Sequence, residues 1–133
     1  MATEAEKILS PKETGPILRH HLVEWCAAEN DYYNIHYDDR AALEMGLAST
    51  PVQGTYKFAL FGEMVRAWLK GRGRLLRISA SYRKPDFEGA SLRLGGEITG
   101  REDRVLTISL FLENGSGERT TTGQAVVRLN DDG

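Results

Sequence analysis

Asp31 and His36 stand five positions apart, and Gly54 heads the most apolar helix-forming run in the chain. An acid and an imidazole together can hold and move one water proton near neutral pH. A glycine at a helix mouth leaves unsatisfied N–H groups and the positive end of the dipole free to receive charge on a carbonyl oxygen. The plain alternative is a helix-terminal Asp, a surface His and a simple helix start, all of which occur without function.

These residues must be positioned by the elements around them. His20 to Asn30 reads as a helix with Leu22, Val23, Trp25, Cys26 and Ala27 on its apolar side. Five residues turn a helix through about 500°, so Asp31 and His36 cannot share one helical face. The helix is therefore expected to end near Asp31, with His36 returning towards it from an irregular segment. A short helix over Asp38 to Met45 follows, marked by two N-terminal acids and stopped by Gly46. Gly54 to Lys70 is apolar nearly all round apart from a stripe of Glu63, Arg66 and Lys70, which predicts a buried helix about 25 Å long.

Beyond Gly73 the period changes to two. Leu76 to Tyr82, Leu92 to Ile98, Leu106 to Leu112 and Thr121 to Leu129 read as four consecutive antiparallel strands. Pro85 to Gly89 reads as a turn, and Asn114-Gly115-Ser116-Gly117 as a hairpin. Residues 1–14 read as an arm or an added edge strand, Gly15-Pro16 as a turn, 15–130 as one domain and 131–133 as a polar tail. The class is α+β, with a curved sheet wrapped around a long central helix.

Composition narrows the partners. A net charge of -2 argues against nucleic acid or an anionic membrane as a bulk partner. One cysteine allows no internal disulfide and no cysteine metal cluster. Cys26, beside Trp25 on an apolar face, reads as an inert thiol rather than a nucleophile for His36. His20 and His21 lack a third ligand, so no metal site is expected. The opening M-A-T-E-A-E-K has no apolar core of a secretory signal and no window suits a membrane span, so a cytoplasmic protein is expected.

Several stretches resemble the MaoC-like, (R)-specific enoyl-CoA hydratases of the hotdog fold. They are D-Y-Y-N-I-H-Y-D, then R-A-A-L-E-M-G-L and P-V-Q-G, preceded by G-P-I-L-R-H-H-L-V-E-W-C-A-A-E-N. Y-R-K-P-D-F-E-G-A-S-L-R-L-G-G-E-I resembles that family's strand turn, and N-G-S-G-E-R-T-T-T-G-Q-A-V-V-R-L its last hairpin. The likeness runs from Gly15 to Leu129.

It implies a hotdog fold, a homodimer or dimer-based assembly, and reversible hydration of a trans-2-enoyl thioester to the (R)-3-hydroxyacyl thioester. No cofactor is implied beyond the coenzyme A or acyl carrier of the substrate. Asp31 and His36 would be the catalytic pair, with the Gly54 amide polarising the thioester carbonyl. From the residues themselves, Tyr33 and Asn34 read as lining the acyl pocket or orienting the pair, or as local turn makers, Gln53 as a pocket or a loop residue, and Arg83 and Lys84 as contacts for carrier phosphates or as a solvated strand end. The chain departs from the family's Asn-Pro after the acid, having Tyr33-Asn34, and from its His-Gly, having Gln53-Gly54. Those neighbours bear on the substrate rather than the chemistry. An acyl-carrier-protein dehydratase, a thioesterase and a non-catalytic acyl-binding subunit are the alternatives.

Overall fold

The computed structural model describes residues 8–131. Strand β1 (Ile8–Pro16) leads to α1 (Arg19–Glu29), a 3-10 turn (Asn34–His36), α2 (Asp39–Glu44) and α3 (Gly54–Leu69). Four strands follow: β2 (Gly73–Tyr82), β3 (Ser91–Glu102), β4 (Val105–Glu113) and β5 (Arg119–Leu129). All pairings in the sheet are antiparallel, in the order β1-β3-β4-β5-β2. The curved five-stranded sheet packs on α3 and forms a hotdog fold.

The strand period is obeyed where the sheet faces the helix. Leu106, Ile108, Leu110 and Leu112 of β4 are all buried, as are Leu92 and Leu94 of β3 and Ala125 and Val127 of β5. They meet Phe61, Met64, Val65 and Leu69 of α3 in one core. Phe61 closes so tightly on β5 that a Cβ on Gly123 would stand 2.8 Å from its ring and 2.5 Å from the Ser79 carbonyl oxygen. Glycine is what lets helix, β2 and β5 meet there.

Four sequence expectations are corrected. Gly15-Pro16 is not a free turn: both residues end β1, which pairs with β3 through a register shift between Glu13 and Pro16. Of the two expectations for residues 1–14, an arm or an added edge strand, the edge strand holds from Ile8 onward, and residues 1–7 lie outside the described part. The β2–β3 link crosses the sheet rather than forming a hairpin, because β2 pairs with β5. As an edge strand, β2 leaves Leu75, Leu76 and Tyr82 exposed. Finally, α3 is buried on one face only. Phe58 is exposed, and Leu60 and Trp68 are partly covered. On α1 the buried pair is Leu22 and Cys26, four residues apart, while Val23 and Ala27 are exposed.

Candidate active site

Helix α1 ends because Asn30 adopts the left-handed conformation at φ 56°, which asparagine tolerates. The Asn30 amide then donates to the Ala27 carbonyl and the Asp31 amide to the Cys26 carbonyl, at 3.3 and 3.0 Å. That reversal puts Asp31 just past the helix end. Tyr33 to Tyr37 make a single 3-10 turn, with the His36 and Tyr37 amides donating to Tyr33 and Asn34. Asp38 then caps α2 through the amides of Arg40 and Ala41.

Asp31 and His36 line one cavity of about 280 Å³, together with Glu29, Gln53, Gly54, Thr55 and Tyr82. The His36 Nδ1 lies 2.8 Å from the Pro51 carbonyl oxygen. A carbonyl only accepts, so Nδ1 carries the hydrogen and Nε2 of the neutral ring keeps its lone pair. Tyr33 stands edge-on to the imidazole at 5.9 Å between ring centres, and its hydroxyl reaches the Met45 sulfur. Asn34 is exposed and shapes the turn through its backbone carbonyl, which accepts from Tyr37 and Asp38.

Gly54 is the first residue of α3. The first N–H groups of a helix have no intrahelical acceptor, and Gln53, the N-cap here, offers them no side-chain cap. A Cβ on Gly54 would come within 3.2 Å of the Tyr82 ring, so glycine lets β2 close over the helix mouth. Partial desolvation at the helix mouth raises the hydroxyl of the half-exposed Tyr82 above the ordinary tyrosine range.

Gln53 is buried, and its amide points back into the fold. Nε2 donates to the Leu22 carbonyl at 2.7 Å and lies 3.4 Å from the Cys26 sulfur. Its Oε1 has no partner among the described residues. The Trp25 indole donates to the Thr55 hydroxyl at 2.9 Å. Helix α1, which delivers Asp31, is thus tied twice to the head of α3. Cys26 is fully buried, and the His21 ring accepts from the Leu18 amide at the start of α1.

Arg83 and Lys84 line a second cavity of about 280 Å³ that shares Gly54 and Tyr82 with the first and adds Val52 and Lys57. Lys84 pairs with Glu118, whose carboxyl is held below the usual range by hydrogen bonds from Lys84 and Asn114. The Arg83 Nε donates to the Thr122 hydroxyl at 3.3 Å.

Sequence reasoning missed Lys57, Asp86 and Tyr82. Lys57 Nζ lies 3.1 Å from an Asp86 oxygen, with both side chains almost wholly buried. The signal was available: Lys57 falls outside the polar stripe of Glu63, Arg66 and Lys70, and Asp86 sits between Pro85 and Phe87. A charge on an otherwise apolar face needs a partner.

No family model and no curated protein matches the chain. Solved structures do. The ChsH1-ChsH2 complex from Mycobacterium tuberculosis aligns over 92% of this chain and 95% of that one, with a TM-score of 0.85 at 18% identity. The (R)-hydratase from A. caviae involved in PHA biosynthesis aligns over 96% and 100%, with a TM-score of 0.82 at 23% identity. The HadBC (3R-hydroxyacyl-ACP dehydratase) complex from Mycobacterium tuberculosis aligns over 90% and 93%, at 0.75 and 15%. The chain has the hotdog fold of these proteins.

Proposed function

We propose that this protein is a hydro-lyase that reversibly hydrates a trans-2-enoyl thioester to the (R)-3-hydroxyacyl thioester. The observation that carries the reading is the shared cavity: Asp31, His36 and the uncapped head of α3 at Gly54 line the same space. The hydratase and dehydratase among the solved structures of this fold support it.

In this reading the thioester carbonyl oxygen takes the free N–H groups at Gly54, where the helix dipole stabilises an enolate. A water sits between the Asp31 carboxylate and His36 Nε2. The pair takes up one water proton as the oxygen bonds to the β-carbon, and a proton is returned to the α-carbon on the same face. The Nδ1–H bond to Pro51 keeps Nε2 aimed at the water. The carrier arm runs past Tyr82 towards Arg83 and Lys84, which meet its phosphate groups. Tyr33 and Asn34 do not line the cavity: Tyr33 steadies the imidazole edge-on and Asn34 shapes its turn, while Gln53 holds the floor. In this reading a second copy of the chain would pair along the β2 edge, where Leu75 and Leu76 are exposed.

The test is hydration of crotonyl-CoA and longer enoyl-CoAs by wild type, Asp31→Asn and His36→Ala. Full activity in either variant removes the pair from the mechanism. Equal trials with acyl-carrier-protein thioesters decide the carrier, and release of free thiol instead of hydration would mark a thioesterase.

A further inference from the structure

Among the described residues, Lys57 and Asp86 form the one buried ion pair, and the hydration chemistry leaves it unused. Lys57 Nζ lies 3.1 Å from Asp86 Oδ2 and 3.4 Å from the Lys84 carbonyl oxygen. The Thr120 hydroxyl donates to the same Asp86 oxygen at 2.5 Å. Their side chains are 3% and 2% exposed. Desolvation offsets most of what such a pair gains, and well-packed apolar side chains of similar volume are often as stable. Stability alone therefore gives little reason for a charge pair here, and its location gives a better one.

Asp86 opens a short ladder against the strip Thr50–Gln53. The Val52 amide donates to the Asp86 carbonyl at 2.7 Å, Pro51 bridges Phe87, and the Glu88 amide donates to the Thr50 carbonyl at 2.9 Å. Pro51 in turn supplies the carbonyl that faces His36 Nδ1. On its other side Lys57 lies one turn below Gly54, with Nζ 5.7 Å from the centre of the Tyr82 ring that covers that glycine. A cation near an aromatic face holds the ring in place. One pair thus touches both the support of the imidazole and the wall over the helix mouth.

We propose that Lys57 and Asp86 are positioning residues: their pairing pins the strip Thr50–Gln53, so that the Pro51 carbonyl holds neutral His36 in the Nδ1–H form, and fixes Tyr82 over Gly54. The kinetic part of this inference rests on the hydratase reading; the tautomer part does not.

The variants are Lys57→Met, Asp86→Leu and the double variant. Thermal midpoints, crotonyl-CoA hydration and the 15N spectrum of the His36 ring are measured, the last at about pH 8.5, above the ordinary imidazole pKa. His36→Ala assigns its signals. Each single variant leaves a buried charge unpaired and lowers the midpoint by about 10 °C or more. The double variant recovers most of that loss. Its His36 nevertheless shows a mixture of tautomers, and kcat falls about tenfold while KM changes less than about threefold. A double variant with the wild-type His36 spectrum overturns the proposal, as does a wild type whose neutral His36 carries its proton on Nε2. Should the double variant not fold, Thr120→Val loosens Asp86 without unpairing a charge and decides by the same spectrum. A wild type that hydrates no enoyl thioester sinks the hydratase reading, and the spectrum still decides the positioning role.

Discussion

The head of α3 receives polar side chains from several elements. Gln53 binds the α1 backbone, Trp25 binds Thr55, Lys57 binds Asp86, and His36 binds the strip that leads into the helix. At the tail the helix closes on itself. Lys70 turns left-handed at φ 48°, and Arg72 binds the Leu69 and Trp68 carbonyls while lying over the Trp68 ring. Beside that tail is the larger hollow, about 670 Å³, lined by Leu9, Met64, Trp68 and the cations Lys12, Lys70 and Arg72. Among the described residues it is lined by no acid and no imidazole. Between these two, size alone would select the tail as the site. Convergence of fixed polar groups selects the head, because only fixed donors and acceptors can meet charge as it develops.

The comparison breaks most readily at the acid–imidazole pair. Asp31→Asn and His36→Ala are each expected to lower kcat for crotonyl-CoA by about 10²–10⁴-fold. Both residues are at least partly exposed, so the thermal midpoint should stay near wild type. Gly54→Ala comes next. The added methyl would press on the Tyr82 ring at 3.2 Å, but that ring is half-exposed and can yield. Stability should therefore hold, while crowding at the helix mouth lowers kcat/KM about tenfold or more. An unaltered kcat/KM would mean that no carbonyl docks at that helix mouth.

The features legible in the sequence are the periodic ones. The long helix was found to within a residue, and the alternation of Leu106, Ile108, Leu110 and Leu112 places β4 against the core. The break after α1 was also legible, since Asp31 and His36 cannot share a helical face. The order of the strands was not, because pairing β2 with β5 instead of β3 is a long-range choice that alternation does not encode. Nor was the left-handed Asn30, since Asp31 beside it is a comparable turn former. For Lys57 and Asp86 the sequence shows two charges in apolar surroundings that each need a partner, but not that they partner each other, since they are 29 positions apart and meet only after the β2–β3 link crosses back.

Gln53→Leu sharpens the contrast at the head. The substitution keeps bulk and removes the donor to the Leu22 carbonyl, but it also removes the partnerless Oε1. The two changes oppose each other, so the net cost in stability should be about 1 kcal/mol or less. Catalysis should suffer more, with kcat down severalfold, since α1 no longer holds Asp31 at a fixed distance from the helix mouth. An equal loss in stability and none in kcat would make Gln53 a packing residue.

Met64→Ala probes the tail. Met64 is 4% exposed, belongs to the core and borders the larger hollow. Truncating it removes buried methylenes and enlarges that hollow, which should cost about 2–5 kcal/mol in chemical denaturation. If the head alone carries the chemistry, kcat and KM for crotonyl-CoA remain at wild-type values below the unfolding transition, and so does the preference among longer enoyl-CoAs. A changed chain-length preference would mean that the acyl group extends down α3 into the larger hollow. The two ends of the helix would then be parts of one site.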